Sequence, residues 1–239
     1  MTAKLHPDQN YLLAALPKSV RDRIFPRLNL AELTLGDVIH ESGQLLKHVY
    51  FPVMGFVSML YVMLDGASAE IAVIGSEGMV GVVAFMGGES APNRAVVQSP
   101  GFAYQMSAAD FMTEFNRDDN VRSLVLRYTQ SLIAQMSQTA ACNRHHSIDQ
   151  QLSRWLLLSL DRVPGNRLMM TQERIANMLG VRREGVTEAA GKLQKRGVIK
   201  YNRGCITVID RPALEALCCE CYAVVKKEAA RLTAFDPIR

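Results

Sequence analysis

The sequence predicts an α+β chain in three parts: an N-terminal antiparallel β-roll, a long helix, and a C-terminal winged helix-turn-helix. Ten of the sixteen glycines fall between Gly36 and Gly101, whereas Phe102 to Val163 contains neither glycine nor proline. A helix–turn–helix–hairpin pattern then occupies Met170 to Asp210. Closely spaced turn residues bound short strands, and their long absence leaves room for helices. The boundaries expected from this punctuation are 1–117, 118–147 and 148–239.

Within the first part, helical material is expected over Tyr11 to Ile24, followed by short β-branched runs. These are His48 to Phe51, Phe56 to Leu64, Ala69 to Ile74, Arg94 to Gln98 and Ala103 to Met106. Turn signals such as Asp65-Gly66 and Ser99-Pro100-Gly101 bound them, as in an antiparallel sandwich or roll. Another helix is expected to begin near Ala108.

The middle part fits one amphipathic helix from about Asp118 to His146. Val121, Leu124, Val125, Tyr128, Leu132, Met136, Thr139 and Cys142 recur at three- and four-residue steps. Such a narrow stripe suits a seam between two helices, here a dimer seam; packing on the helix's own domain is the alternative. Ile148, Leu152, Trp155 and Leu156 continue the helical period into a further helix ending by Pro164-Gly165.

In the last part Thr171 is a suitable N-cap, with Ile175, Met178 and Leu179 facing inward and Gly180 supplying the turn. A second helix follows from Arg182 to Arg196, burying Val186, Ala189, Ala190 and Leu193. Val198 to Tyr201, Asn202-Arg203-Gly204 and Cys205 to Ile209 form the hairpin. The outward residues at the start of the second helix are Arg182, Arg183, Glu184, Thr187 and Glu188. Arginine holds guanine O6 and N7 bidentately and glutamate accepts from the cytosine amino group, so these types suit base edges. Lys192, Lys195, Lys200 and Arg203 suit phosphates.

The 239 residues are 49% hydrophobic and 21% charged, ordinary for a globular chain, with a net charge of +4. That charge is unevenly distributed. Gly66 to Phe115 carries five acids and one base, whereas Gly165 to Gly204 carries nine bases and three acids. The reversal points to a polyanionic partner for the C-terminal part alone. The apolar run Tyr11 to Leu16 is too short for a signal core, and no run approaches a membrane span, so a cytoplasmic location is expected. There is no nucleophile–base arrangement or metal-protease spacing, and Gly75-Ser76-Glu77-Gly78 lacks the lysine of a phosphate loop. An enzyme is not expected.

The chain resembles the Crp/Fnr family of bacterial transcription regulators. Leu35 to Gly43, Val53-Met54-Gly55-Phe56-Val57 and Gly75 to Gly81 are similar to the cyclic-nucleotide-binding-type roll and the approach to its ligand pocket. Thr171 to Ile209 is similar to the family's winged helix. The resemblance implies a homodimer on palindromic double-stranded DNA, RNA polymerase as a further partner, and control through the roll. It assigns base reading to Arg183 and Glu184 and a phosphate contact to Thr171. Where cyclic-AMP-responsive members have a second arginine, this chain has Glu188, so its operator need not match theirs.

The cyclic-AMP pocket of the family carries Gly-Glu-Leu and Arg-Ser. Here the corresponding residues are Gly81-Val82-Val83 and Arg94-Ala95, so the ribose-binding carboxylate is missing. An unmet hydroxyl is costly, so an effector other than cyclic AMP, or no diffusible effector, is expected. An N-terminal iron–sulfur cluster is ruled out, because no cysteine precedes Cys142. No residue identifies a haem ligand.

Cys218, Cys219 and Cys221 invite a redox or metal reading. On one continuous helix, Cys218 and Cys221 share a face with Leu214 and Leu217 while Cys219 points elsewhere; packing is the expected role, with no metal site, for want of a fourth ligand. Cys142, His145, His146 and Asp149 form a second group, in which His145 and Asp149 are spaced to pair. A ligand-independent architectural DNA binder and a redox- or metal-responsive regulator stay open as alternatives.

Overall fold

The computed structural model describes residues 5–88 and 90–233. Helices α1 (Tyr11–Ala14) and α2 (Lys18–Ile24) divide at Pro17, which has no amide hydrogen to continue a helix. Asn10 caps α1, accepting from the Leu12 and Leu13 amides, and its amide group donates to the Pro52 and Gly78 carbonyls. One buried side chain thus starts the helix and pins it to the roll.

The roll is a five-stranded antiparallel sheet of β1 (Asn29–Leu33), β2 (Val38–His40), β3 (His48–Val62), β4 (Ser68–Ile74) and β5 (Arg94–Ser107). The order is β1-β5-β3-β4, with β2 also paired to β5. Two expectations need correction. The runs His48 to Phe51 and Phe56 to Leu64 are one strand, β3, and Arg94 to Gln98 and Ala103 to Met106 are one strand, β5. Gly55 and Gly101 do not end strands; they let two backbones approach. A Cβ on Gly101 would lie 2.1 Å from the Met54 carbonyl oxygen, and one on Gly55 would lie 2.4 Å from that of Ser99. The register shifts at this crossing, between Met54 and Phe56, so the glycines mark a bulge that bends a long hairpin.

Helix α3 (Ala108–Arg117) starts at the Ser107 cap, α4 (Asp119–His145) at the Asp118 cap, and α5 (Ile148–Leu160) at a capping box of Ser147 and Gln150. The C-terminal part continues with β6 (Arg167–Met169), α6 (Gln172–Leu179), α7 (Arg183–Lys195), β7 (Ile199–Asn202), β8 (Cys205–Val208), α8 (Arg211–Leu217) and α9 (Cys221–Thr233). β6 is too short to announce itself in the sequence, yet it completes a sheet of order β6-β8-β7. Among the described residues no helix is long and apolar enough to cross a membrane.

Two hydrophobic cores organise these elements. One fills the roll and takes in the first half of α4. The other begins on the sheet with Phe56, Leu60, Val73 and Val96 and runs through α5 into α6, α7 and the hairpin. Every residue of α5 from Gln151 to Leu160 is buried. A helix buried on all sides needs neighbours on all sides, and α5 has the roll on one and the helix-turn-helix on the other.

Polar groups are buried at this junction. Ser58 donates a hydrogen bond to the Glu70 carboxylate, and Arg154 of α5 donates to Thr139 Oγ1 of α4 at 3.2 Å. Burial pushes the Glu70 carboxyl up from the ordinary 4.5 to about 7, outweighing the Ser58 bond and the Arg154 charge, which act in the other direction.

Gly101→Ala is expected to lower stability by about 3 kcal/mol in urea denaturation, because backbone rather than a movable side chain fills the space. The folded state holds the Glu70 proton more tightly than the unfolded state does. Stability is therefore expected to fall as pH rises from about 4.5 to about 7, by up to about 1.4 kcal/mol per pH unit, and Glu70→Gln should flatten that slope.

Candidate nucleic-acid interface

The Thr171 hydroxyl accepts from the Arg174 amide at 3.3 Å, which starts α6. Gly180 ends it in the left-handed conformation at φ +66°. Ile175, Met178 and Leu179 of α6 and Val186, Ala189, Ala190 and Leu193 of α7 are buried together. This packing turns Arg182, Arg183, Glu184, Thr187, Glu188 and Lys192 outward, and all six are exposed.

Arg182 stands at the N-cap of α7 and Arg183 opens the helix, with no side chain capping the first turn. Arg182 and Arg183 place two cations at the positive end of the helix dipole, with Glu184 as the acid of the same first turn, and an approaching anion would add to that compensation. Thr187 donates to Gln172 Oε1 at 2.7 Å, fixing α7 against the start of α6. Lys192 is committed elsewhere: Glu188 at 3.0 Å and Asp149 at 3.2 Å surround its ammonium and raise its pKa. Lys192 suits phosphates by its position in the sequence, but here two carboxylates already offset its charge.

The hairpin of β7 and β8 turns on Arg203 and Gly204, both with positive φ, at +48° and +74°. These are the demands of a type I′ turn, which glycine meets freely and arginine does not. Lys200 and Arg203 are exposed along this wing. Thr171, Gln172, Glu173, Arg183, Tyr201, Arg203 and Gly204 line a cleft of about 450 Å³ between α6, α7 and the wing. The expected residues Thr171, Arg183 and Arg203 meet there. Gln172 and Tyr201 are additions, and the Tyr201 hydroxyl donates to the Met170 carbonyl at 3.0 Å.

The residues expected around an effector do not converge in the same way. Gly81 takes φ +107° and leads into a short 3-10 turn, but Val82 and Ala95 are buried in the roll core and Val83 packs against it. Arg94 pairs with Glu41 at 3.1 Å. The stretch Gly75 to Gly81 serves the contact with the helices. A Cβ on Gly78 would strike the Tyr128 hydroxyl at 2.5 Å, and that hydroxyl donates to the Met79 carbonyl at 3.0 Å. Glu77 pairs with the buried Arg162, just beyond α5, at 2.6 Å.

The seam expected on α4 is also placed differently. Val121, Leu124, Val125, Tyr128 and Leu132 lie in the chain's own roll core, and Met136 packs at its edge. Thr139 lies beneath Arg154. A three- and four-residue stripe reports an apolar partner, and here that partner is the chain itself. The outward apolar residues of α4 are Leu126 and Ile133, 50% and 53% exposed and one heptad apart.

The cysteine expectations change too. Helix α8 stops at Cys218, whose backbone is extended, so Cys218 and Cys221 do not share one helix. Cys219, expected to point away, is buried, and its Sγ lies 3.6 Å from that of Cys142. Asp149 pairs with Lys192 rather than with His145.

Residues 150–217 match the model of the Crp-like helix-turn-helix domain, and residues 30–118 that of the cyclic nucleotide-binding domain. A search of curated protein sequences gave no match. Solved structures share the fold at low identity. A protein from Eubacterium rectale assigned to the crp/fnr family of transcriptional regulators aligns at 20% identity and TM-score 0.70, over 87% of this chain and 98% of its own. FixK2 from Bradyrhizobium japonicum aligns at 16% and 0.64, over 80% and 98%. The c-di-GMP responsive global regulator CLP from Xanthomonas campestris aligns at 16% and 0.64, over 80% and 99%.

Arg203→Gly is expected to stabilise the fold by roughly 1 kcal/mol, because it relieves the positive-φ turn. The same change should weaken duplex binding and lower its salt dependence by about one charge. Thermal melts and binding isotherms at two salt concentrations check both halves.

Proposed function

Since the chain belongs to the Crp/Fnr family of transcription regulators, we propose that it acts as a homodimeric, sequence-specific DNA-binding regulator governed by its N-terminal roll. Residues 1–117 form the sensor, 118–147 the dimerisation helix and 148–239 the reading head. The observation that carries this reading is the cleft where Arg183, at the start of α7, faces Thr171 and the wing residue Arg203. Arg182, Arg183, Glu184, Thr187 and Glu188 meet base edges, while Thr171, Lys200 and Arg203 hold phosphates.

Dimerisation uses the outer face of α4, where Leu126 and Ile133 stand exposed a heptad apart. The effector is not cyclic AMP, since Val82 supplies no carboxylate and faces the core. The ion pair of Glu77 with Arg162 and the core shared across α5 give the roll a mechanical connection to the reading head.

Selection of bound duplexes from a random library tests the proposal. A two-fold symmetric site with half-sites about 10 base pairs apart is expected. Sequence-independent binding alone would overturn it in favour of an architectural role. On the selected site, Arg183→Ala is expected to lose roughly 1–3 kcal/mol at one symmetric base position and little at the others. A uniform loss would make Arg183 a phosphate contact.

A further inference from the structure

The end of α4 and the start of α9 bring four soft ligands to one point. Cys142 and His146 are one turn apart at the end of α4, and Cys219 and Cys221 flank the entry to α9. Their Sγ and imidazole nitrogen atoms all lie within 4.8 Å of one another, and Cys142, Cys219 and Cys221 are buried. The Sγ atoms of Cys142 and Cys219 are 3.6 Å apart, and His146 Nδ1 is 3.5 Å from Cys221 Sγ. A tetrahedral zinc ion, with bonds of about 2.3 Å to sulfur and 2.0–2.1 Å to nitrogen, holds its ligands roughly 3.5–3.8 Å apart. We infer that Cys142, His146, Cys219 and Cys221 bind a single zinc-class divalent cation, which fastens the C-terminal helix to the end of the long helix.

The surroundings support an ion. His146 offers Nδ1 to the cluster while its Nε2 lies 3.4 Å from the Glu220 carboxylate, the arrangement that orients a metal-bound imidazole and sets its tautomer. Gln138 Nε2 donates to Cys221 Sγ at 3.0 Å, as an outer partner of a thiolate does. Three thiolates and a neutral imidazole around a divalent ion carry one net negative charge. Arg154 is buried close enough to act electrostatically on Cys142, and its Nε has no hydrogen-bond partner among the described residues. Its positive charge offsets that of the loaded site. On binding, the three thiols release their protons to solvent and no electron moves. The compact spacing fits one ion rather than a cluster of several irons, which holds its ligands farther apart. Sulfur-rich tetrahedral donors favour zinc over harder cations.

The test uses the full chain, purified under reducing conditions, stripped with a chelator and titrated with cobalt(II), then zinc(II). The expected result is one cobalt per chain with the intense visible bands of a tetrahedral site and thiolate-to-cobalt charge transfer, both abolished by one equivalent of zinc. Glu220→Gln, at a 72% exposed side chain, should leave the fold intact and weaken metal binding roughly 10–100-fold. Cys205→Ser, outside the cluster, should keep full stoichiometry. The spectrum of an octahedral cobalt ion, stoichiometry well below one, or formation of a Cys142–Cys219 disulfide in place of metal uptake would overturn the inference. The wild-type titration decides even if Cys142→Ser or Cys219→Ser fails to fold.

Discussion

The burial of α5 between the roll and the helix-turn-helix is the constraint from which the rest of the architecture follows. Leu152, Trp155, Leu156, Leu157, Leu158 and Leu160 are all within 5% of full burial, and they touch apolar side chains from both directions. Each such side chain is worth roughly 1.5–3 kcal/mol of transfer free energy, so neither neighbour can leave without exposing several of them. The helix-turn-helix is therefore seated on the sheet: a Cβ on Gly180 would lie 3.3 Å from that of Ala69 on β4. The sheet and α7 thus belong to one closely packed core.

Around that junction several buried polar groups are paired across elements, although Arg154 Nε, Trp155 Nε1 and Ser159 Oγ have no hydrogen-bond partner among the described residues. Glu77 meets Arg162, Glu70 meets Ser58, and Arg154 meets Thr139. Exposed basic side chains lie on the start of α7 and on the wing, at Arg182, Arg183, Lys200 and Arg203. The same sequence thus separates a tightly packed connection from an exposed basic surface. An exposed basic surface of that kind suits a polyanion.

The reading head was legible in the sequence because its signals are local. Thr171 caps, Gly180 turns and the inward alternation of Val186, Ala189, Ala190 and Leu193 are each set within a few residues of their partners. Strand continuity through Gly55 and Gly101 was not legible, since a glycine that ends a strand and a glycine that admits a crossing backbone look alike until the crossing is known. The stripe on α4 is legible as apolar, but periodicity does not say whose surface it meets. Cys142 and Cys219 are 77 residues apart, and only the break after α8 turns Cys219 inward. No local pattern could have joined the two cysteine groups.

Protection of guanine N7 from methylation, on a duplex bound by the full chain, tests the functional account most directly. Arg183 grips the major-groove edge of guanine if α7 is the reading helix, so N7 should be shielded at two positions related by two-fold symmetry and about 10 base pairs apart. Both should become reactive again with Arg183→Ala. A bound duplex whose guanines all stay reactive would contradict the account, because the chain would then hold DNA without placing α7 in the major groove.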